Sequence, residues 1–224
     1  MSTVREGWDR YAVAWARRYG GYDLRRAPVP VRRWQRAAYR TARVLSVLRV
    51  PPTAVAVLGF GCAVAVPVLA TRTGTWPLLA GAGLVVLATF TATVEAAMSV
   101  LASRWPRTAT LRGSVTGLVQ ELVWLVAFWL VGVTGPLVVA CGVASGLHEH
   151  VRGLAVGAGM PPMAAQTAGD RPVRLLLVVV GLALAGLAGP GLAAGLLTVV
   201  ASGWLVLAAL GLAQLVGAVR RSLA

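Results

Sequence analysis

From residue 50 onward the chain alternates between long apolar runs and short breaks rich in arginine, proline or glycine. A helix needs about 20 such residues to cross the hydrocarbon layer, and six runs are spaced accordingly. They are Thr53 to Ala70, opened by Pro51-Pro52; Trp76 to about Ala102; about Ser114 to Val133; the stretch from Gly135-Pro136 to about Leu147; Arg174 to about Ala188; and Leu192 to Val219, set off by Gly189-Pro190-Gly191. The fourth and fifth are short, and the fourth can continue as helix through the polar HEHVRG stretch. Glycine and alanine recur in every run, which lets helix backbones approach closely. The pattern predicts an all-α, polytopic membrane bundle of six transmembrane helices over residues 50–224. The PPT and TGP breaks fall at run ends. An unrelated small transporter with helices broken near the midplane is therefore the weaker alternative.

Residues 1–49 carry a different period. In GWDRYAVAWARRY, Trp8, Tyr11, Ala12, Trp15 and Tyr19 recur at helical spacing among arginines, an aromatic face suited to the headgroup boundary. GGYD breaks this helix and APVP extends the linker. A second basic helix is expected from about Val31 to Arg49, with Trp34, Ala37, Ala38, Thr41, Leu45 and Leu48 in one stripe. Two readings fit this segment: basic amphipathic helices lying along the inner leaflet, or a helical extension packed on the bundle.

Composition excludes a soluble domain: 58% of residues are hydrophobic and only 12% charged. The net charge of +14 comes entirely from arginine, with no lysine. Because the arginines flank apolar runs, they point to topology and contact with anionic lipid, not to nucleic acid. Twelve lie in the segment ending at Arg49; Arg104, Arg107, Arg112, Arg152, Arg171, Arg174, Arg220 and Arg221 mark the same side, and only Arg72 falls on the other. The positive-inside rule then predicts a multi-pass protein of the inner or plasma membrane with both termini cytoplasmic. An early apolar core is lacking, so no cleavable secretory signal is expected. Cys62 and Cys141, within apolar runs, read as buried small hydrophobes.

Two carboxylates interrupt the apolar pattern. Glu95 and Glu121 each lie nine residues into a helix, counted from Arg104 and Arg112, or roughly 13 Å at the helical rise. The short loop makes the two helices antiparallel neighbours, so both acids sit at similar depth. A charge inside a span costs about 2.5–3.5 kcal/mol on insertion scales, which sends such residues to the bundle interior or a wet cavity. Either a buried arginine or histidine neutralises each one, or the pair holds a divalent cation or activates a hydroxyl. The HEH run, His148 to His150, is a poor metal site, because residues two apart on a helix face different ways.

The hairpin resembles the signature of the CDP-alcohol phosphatidyltransferase family, D-x2-D-G-x2-A-R-x8-G-x3-D-x3-D. With Arg104 as the signature arginine, WPRTATLR fills the spacer and Gly113 follows; Gly117 stands where the third aspartate is expected and Glu121 where the fourth is. Backwards, Ser103 replaces alanine, Val100 glycine, and Ser99 and Ala96 the first two aspartates. RVPPTAVAVLGFGCAVAVPVLA is similar to the family's first span, and HVRGLAVGAGM with GDRPVR to the stretch joining its fourth and fifth, so the likeness runs from about Val31 to Val219.

That resemblance implies a membrane enzyme of phospholipid biosynthesis that moves a substituted phosphate from a CDP-alcohol to a second alcohol and releases CMP. Four aspartates would bind divalent metal and the last would serve as base. Here Glu121 becomes the candidate base. Glu95, about 100° around the helix from the first aspartate position, joins it in holding at most one Mg²⁺ or Mn²⁺ if the protein is active. Arg104, Gly113, Arg152, Arg171 and Arg174 are the implied phosphate-binding positions, guanidinium forks being suited to phosphate oxygens. With three of four aspartates missing, two outcomes are expected: a divergent transferase with reduced or lost catalysis, or a pseudoenzyme that binds lipid or nucleotide. The implied partners are membrane lipid, a CDP-alcohol, and a second copy or an active paralogue.

Overall fold

The computed structural model describes residues 2–19, 21–102, 108–160 and 167–223. Among them the elements are helices α1 (Ser2–Arg18), α2 (Val29–Val47), α3 (Pro52–Ala70), α4 (Thr75–Leu101), α5 (Thr108–Val131), α6 (Gly135–Gly157), α7 (Arg171–Ala188) and α8 (Pro190–Leu223), with no strand. Among the described residues, five stretches are long and apolar enough to cross a membrane: Pro52–Ala70, Thr75–Leu101, Gly113–Val131, Arg171–Ala188 and Pro190–Ser222. The protein is thus an all-helical, multi-pass membrane protein. α6 does continue through HEHVRG, and that polar half sets it apart from the five. Two compact units make up the chain, Met1–Gly59 with Ala88–Gly113, and Phe60–Leu87 with Ser114–Ala224.

In the first unit, the aromatic stripe of α1 faces protein. Trp8, Tyr11, Ala12 and Trp15 are buried with Ala38, Tyr39 and Ala42 of α2 and Val94, Ala97 and Met98 of α4. Trp15 stacks on Tyr19 with ring centroids 4.1 Å apart, Tyr11 lies 4.8 Å from Tyr39, and the Arg36 guanidinium sits 5.3 Å over the Trp8 ring. Such ring pairs add about 0.5–1.5 kcal/mol each beyond their buried area. Burial pushes the Tyr11 phenol well up, and burial followed by nearby Glu95 raises Tyr19 against the opposing Arg18 charge. The inward face of α2 is rotated from the expected stripe. Ala38, Tyr39 and Ala42 are buried while Ala37 and Leu48 are exposed. Tyr39, outside the expected stripe, contributes its ring to the cluster.

In the second unit, α8 packs along α6 and α7. Gly189, at a φ of 82° that only glycine adopts without strain, reverses the chain between α7 and α8. Trp204 of α8 donates its Nε1–H to Ser145 of α6 at 3.0 Å, and Cys141 is buried with its sulfur 3.3 Å from the Ala201 carbonyl. Cys62 and Cys141 are both free and buried, as the sequence suggested. The segment entering α7 crosses α8 backbone to backbone: a Cβ on Gly211 would meet the Gly169 Cα at 2.5 Å. Gln214 of α8 accepts the Ala168 N–H at 2.9 Å and ties the same crossing. Gly211→Ala is expected to cost about 1–3 kcal/mol through this overpacking, read as a lower thermal unfolding midpoint in detergent. An unchanged midpoint would show that the crossing is loose.

Candidate functional site

Glu121 of α5 is the centre of the buried polar structure in the second unit. Its Oε2 accepts a hydrogen bond from Arg174 Nε at 2.8 Å, and its Oε1 accepts one from Arg174 Nη2 at 3.3 Å. Arg171 Nε approaches the same Oε1 to 3.2 Å. The two arginines lie three apart on α7, a spacing that places them on one face. Arg174 is fully engaged, since its Nη2 also donates to Glu149 Oε1 of α6 at 2.7 Å and its Nη1 to the Gly169 carbonyl. The Glu121 and Arg174 side chains are each only 2% exposed. A buried arginine pairs with this carboxylate, as one of the two sequence readings expects.

Arg171 lies at the edge, 37% exposed, with its Nη2 donating to Gln120 Oε1 at 3.2 Å. Its guanidinium fills the space over Gly117. A Cβ placed there would come within 2.8 Å of Nη2 and closer still to the rest of the group. The position expected to carry an aspartate therefore has no side chain, and a cation stands beside it.

Asp170, the residue immediately before α7, forms a second knot. Its Oδ2 accepts the Thr167 N–H at 3.1 Å, and its Oδ1 accepts the Thr167 hydroxyl at 2.7 Å together with Arg152 Nη2 of α6. His148, wholly buried on α6, has Nε2 2.9 Å from the Thr167 hydroxyl oxygen. The hydroxyl has one hydrogen and gives it to Asp170, so His148 must donate from Nε2. The other ring nitrogen has no hydrogen-bond partner, and its nearest acid is Glu149 Oε1 at 4.0 Å. His150 points outward, so the two histidines of HEH do not share a site.

Three acids, Glu121, Glu149 and Asp170, thus offset three arginines, Arg152, Arg171 and Arg174. They include three of the four acidic residues beyond residue 50. The sequence singled out Glu121 and the arginines but not Glu149, Asp170, His148 or Gln120 as their partners. The available signal was helical spacing: Glu149 and Arg152 share a face of α6, and Asp170 immediately precedes the first turn of α7. Gly113 lies exposed on α5, and Arg104 falls outside the described residues. Glu95 is half-buried on α4 in the first unit, close enough to influence Tyr19. One turn on, the Ser99 hydroxyl donates to the Glu95 carbonyl at 3.0 Å.

No family model and no curated protein sequence matches the chain. The fold does have a counterpart in the phosphatidylinositol phosphate synthase PgsA1 of Mycobacterium tuberculosis. Its crystal structure with CDP-DAG bound matches with a TM-score of 0.62 at 20% identity, covering 80% of this chain and 94% of the synthase. A second, in complex with manganese and citrate, gives 0.63 at 20% identity over 82% and 88% of the two chains. The chain has the synthase fold. The likeness read from the hairpin and its flanks thus holds at the level of architecture, in a sequence divergent enough to escape family models.

The synthase was crystallised with manganese, which raises the question of whether the residues here suit such an ion. They do not. A divalent cation wants several free oxygen ligands, whereas both Glu121 oxygens are engaged by guanidinium groups and the neighbouring position is Gly117. Among the described residues, no three His, Cys, Asp or Glu side chains converge.

Proposed function

We propose that this protein is a membrane-embedded relative of the CDP-alcohol phosphatidyltransferases that binds a CDP-alcohol or phospholipid headgroup and has lost most or all of the transfer reaction. One observation carries the reading: Glu121, at the position of the family's base, is consumed by Arg171 and Arg174. A base must offer a lone pair to the incoming hydroxyl within about 2.6–3.2 Å, and both of these oxygens already accept from Arg174, with the Arg171 guanidinium paired alongside. The diphosphate of a CDP-alcohol also brings several negative charges to a site whose own charges nearly cancel. Metal ions supply the missing positive charge where they bind, and this donor set does not suit them.

What favours retained binding is the fold itself together with the arginines at the start of α7. Arg171 is accessible from outside, and an arginine-lined end suits phosphate oxygens. The proposed topology has six spans, with α6 as the additional one, and cytoplasmic termini in the inner or plasma membrane. The arginine asymmetry supports it. The test is CMP release by purified protein given CDP-diacylglycerol, Mn²⁺ or Mg²⁺, and a panel of alcohols. The expected result is no release above an E121A control. Metal-dependent turnover abolished by E121A would restore an active transferase.

A further inference from the structure

The pairing of Gly117 with Arg171 has a consequence for charge. Gly117 is buried on α5, one turn before Glu121, and any side chain there would overlap the Arg171 guanidinium. The guanidinium touches the same carboxylate oxygen, Glu121 Oε1, that a metal at this place would need. Gln120 holds Nη2 from the side, so the group is positioned by three residues of α5, Gly117, Gln120 and Glu121. Among the described residues Nη1, lying over Gly117, has no hydrogen-bond acceptor. The 37% exposure of the side chain leaves the group reachable from outside.

We infer that the Arg171 guanidinium is the resident cation of this site: over Gly117 it takes the place of a divalent metal ion and offers its free N–H edge to phosphate oxygens. Metal exclusion follows from geometry and from like-charge repulsion. The arginine and the glycine then form a coupled pair, because restoring a carboxylate at 117 requires the guanidinium to leave. The phosphate half of the inference rests on the lipid-diphosphate reading above, while the metal half does not.

Full-length protein in lipid nanodiscs, titrated with Mn²⁺ and followed by electron paramagnetic resonance, separates the two halves. Wild type is expected to bind no stoichiometric Mn²⁺ up to about 100 μM. Gly117→Asp should behave likewise, the displaced Arg171 guanidinium shifting outward and neutralising the new carboxylate. The double variant Gly117→Asp/Arg171→Ala should gain at least about tenfold in Mn²⁺ affinity. Wild-type Mn²⁺ binding lost in Glu121→Gln would overturn the inference, as would a folded double variant that gains nothing. The wild-type arm depends on no variant folding. In a second titration with CDP-diacylglycerol, affinity in EDTA should match that in Mn²⁺ within about twofold, and Arg171→Gln should lose about tenfold. A tenfold loss on chelation alone contradicts the inference. No CDP-diacylglycerol binding under any condition contradicts the preceding functional reading and leaves the Mn²⁺ result to decide this one.

Discussion

Replacing Arg174 by methionine is expected to be the most damaging single substitution in the second unit. Arg174 bridges α5, α6 and the α7 entry, through Glu121, Glu149 and the Gly169 carbonyl. Methionine fills much of the volume but leaves the Glu121 carboxylate buried, with only the partly exposed Arg171 beside it. Removing one partner of a buried ion pair costs about 3–5 kcal/mol, because the remaining charge keeps its desolvation penalty. The measurement is the thermal unfolding midpoint of detergent-purified protein, with a Glu121→Met/Arg174→Met double variant alongside. The double variant should recover much of the loss, since replacing a buried pair by apolar groups of similar volume is often neutral or stabilising. If the single variant unfolds at the parent temperature, the pair is not structural and Glu121 returns as a candidate base.

The helices were readable from the chain for a simple reason. A membrane span is specified by local composition, and each apolar run needs only its own length and flanks to be recognised. The Gly189-Pro190-Gly191 turn and the continuation of α6 through HEHVRG were legible on the same local grounds. The aromatic residues of α1 were placed correctly on one face, but that face could not say whether it met lipid or protein. Tyr39, 28 positions after Tyr11, supplies the answer. The site was less legible still. Glu121 stands out because an acid in an apolar helix is costly, yet its partner lies 53 residues away. Arg174, beside a helix start, read slightly less well as a phosphate ligand than as a topological marker. The Gly117–Arg171 relation is invisible in sequence, since a glycine announces space without saying what fills it.

Asp170 is where the second large effect is expected. Its carboxylate accepts three bonds, from the Thr167 amide, the Thr167 hydroxyl and Arg152, and thereby fixes the approach to α7 that presents Arg171 and Arg174. Through Thr167 it also orients His148, which is wholly buried. Hydrogen bonds to a charged group are worth about 1.5–3 kcal/mol each, but they share one acceptor and do not add. Asp170→Ala is therefore expected to cost about 2–4 kcal/mol, removing the Asp170 contact of Arg152 and the acceptor of the Thr167 hydroxyl. Asp170→Asn should cost roughly half as much, because its amide oxygen still accepts from Thr167 while the charge opposite Arg152 is lost. Thermal midpoints of the two variants, ranked Ala below Asn below parent, would establish the order. Equal losses would assign the whole effect to the ion pair with Arg152, and no loss in either would mean that the Gly169–Gly211 crossing holds the segment unaided. The ranking also bears on function: the segment anchored by Asp170 carries both arginines that engage Glu121, so a site loosened here should free that carboxylate and weaken the exclusion of metal.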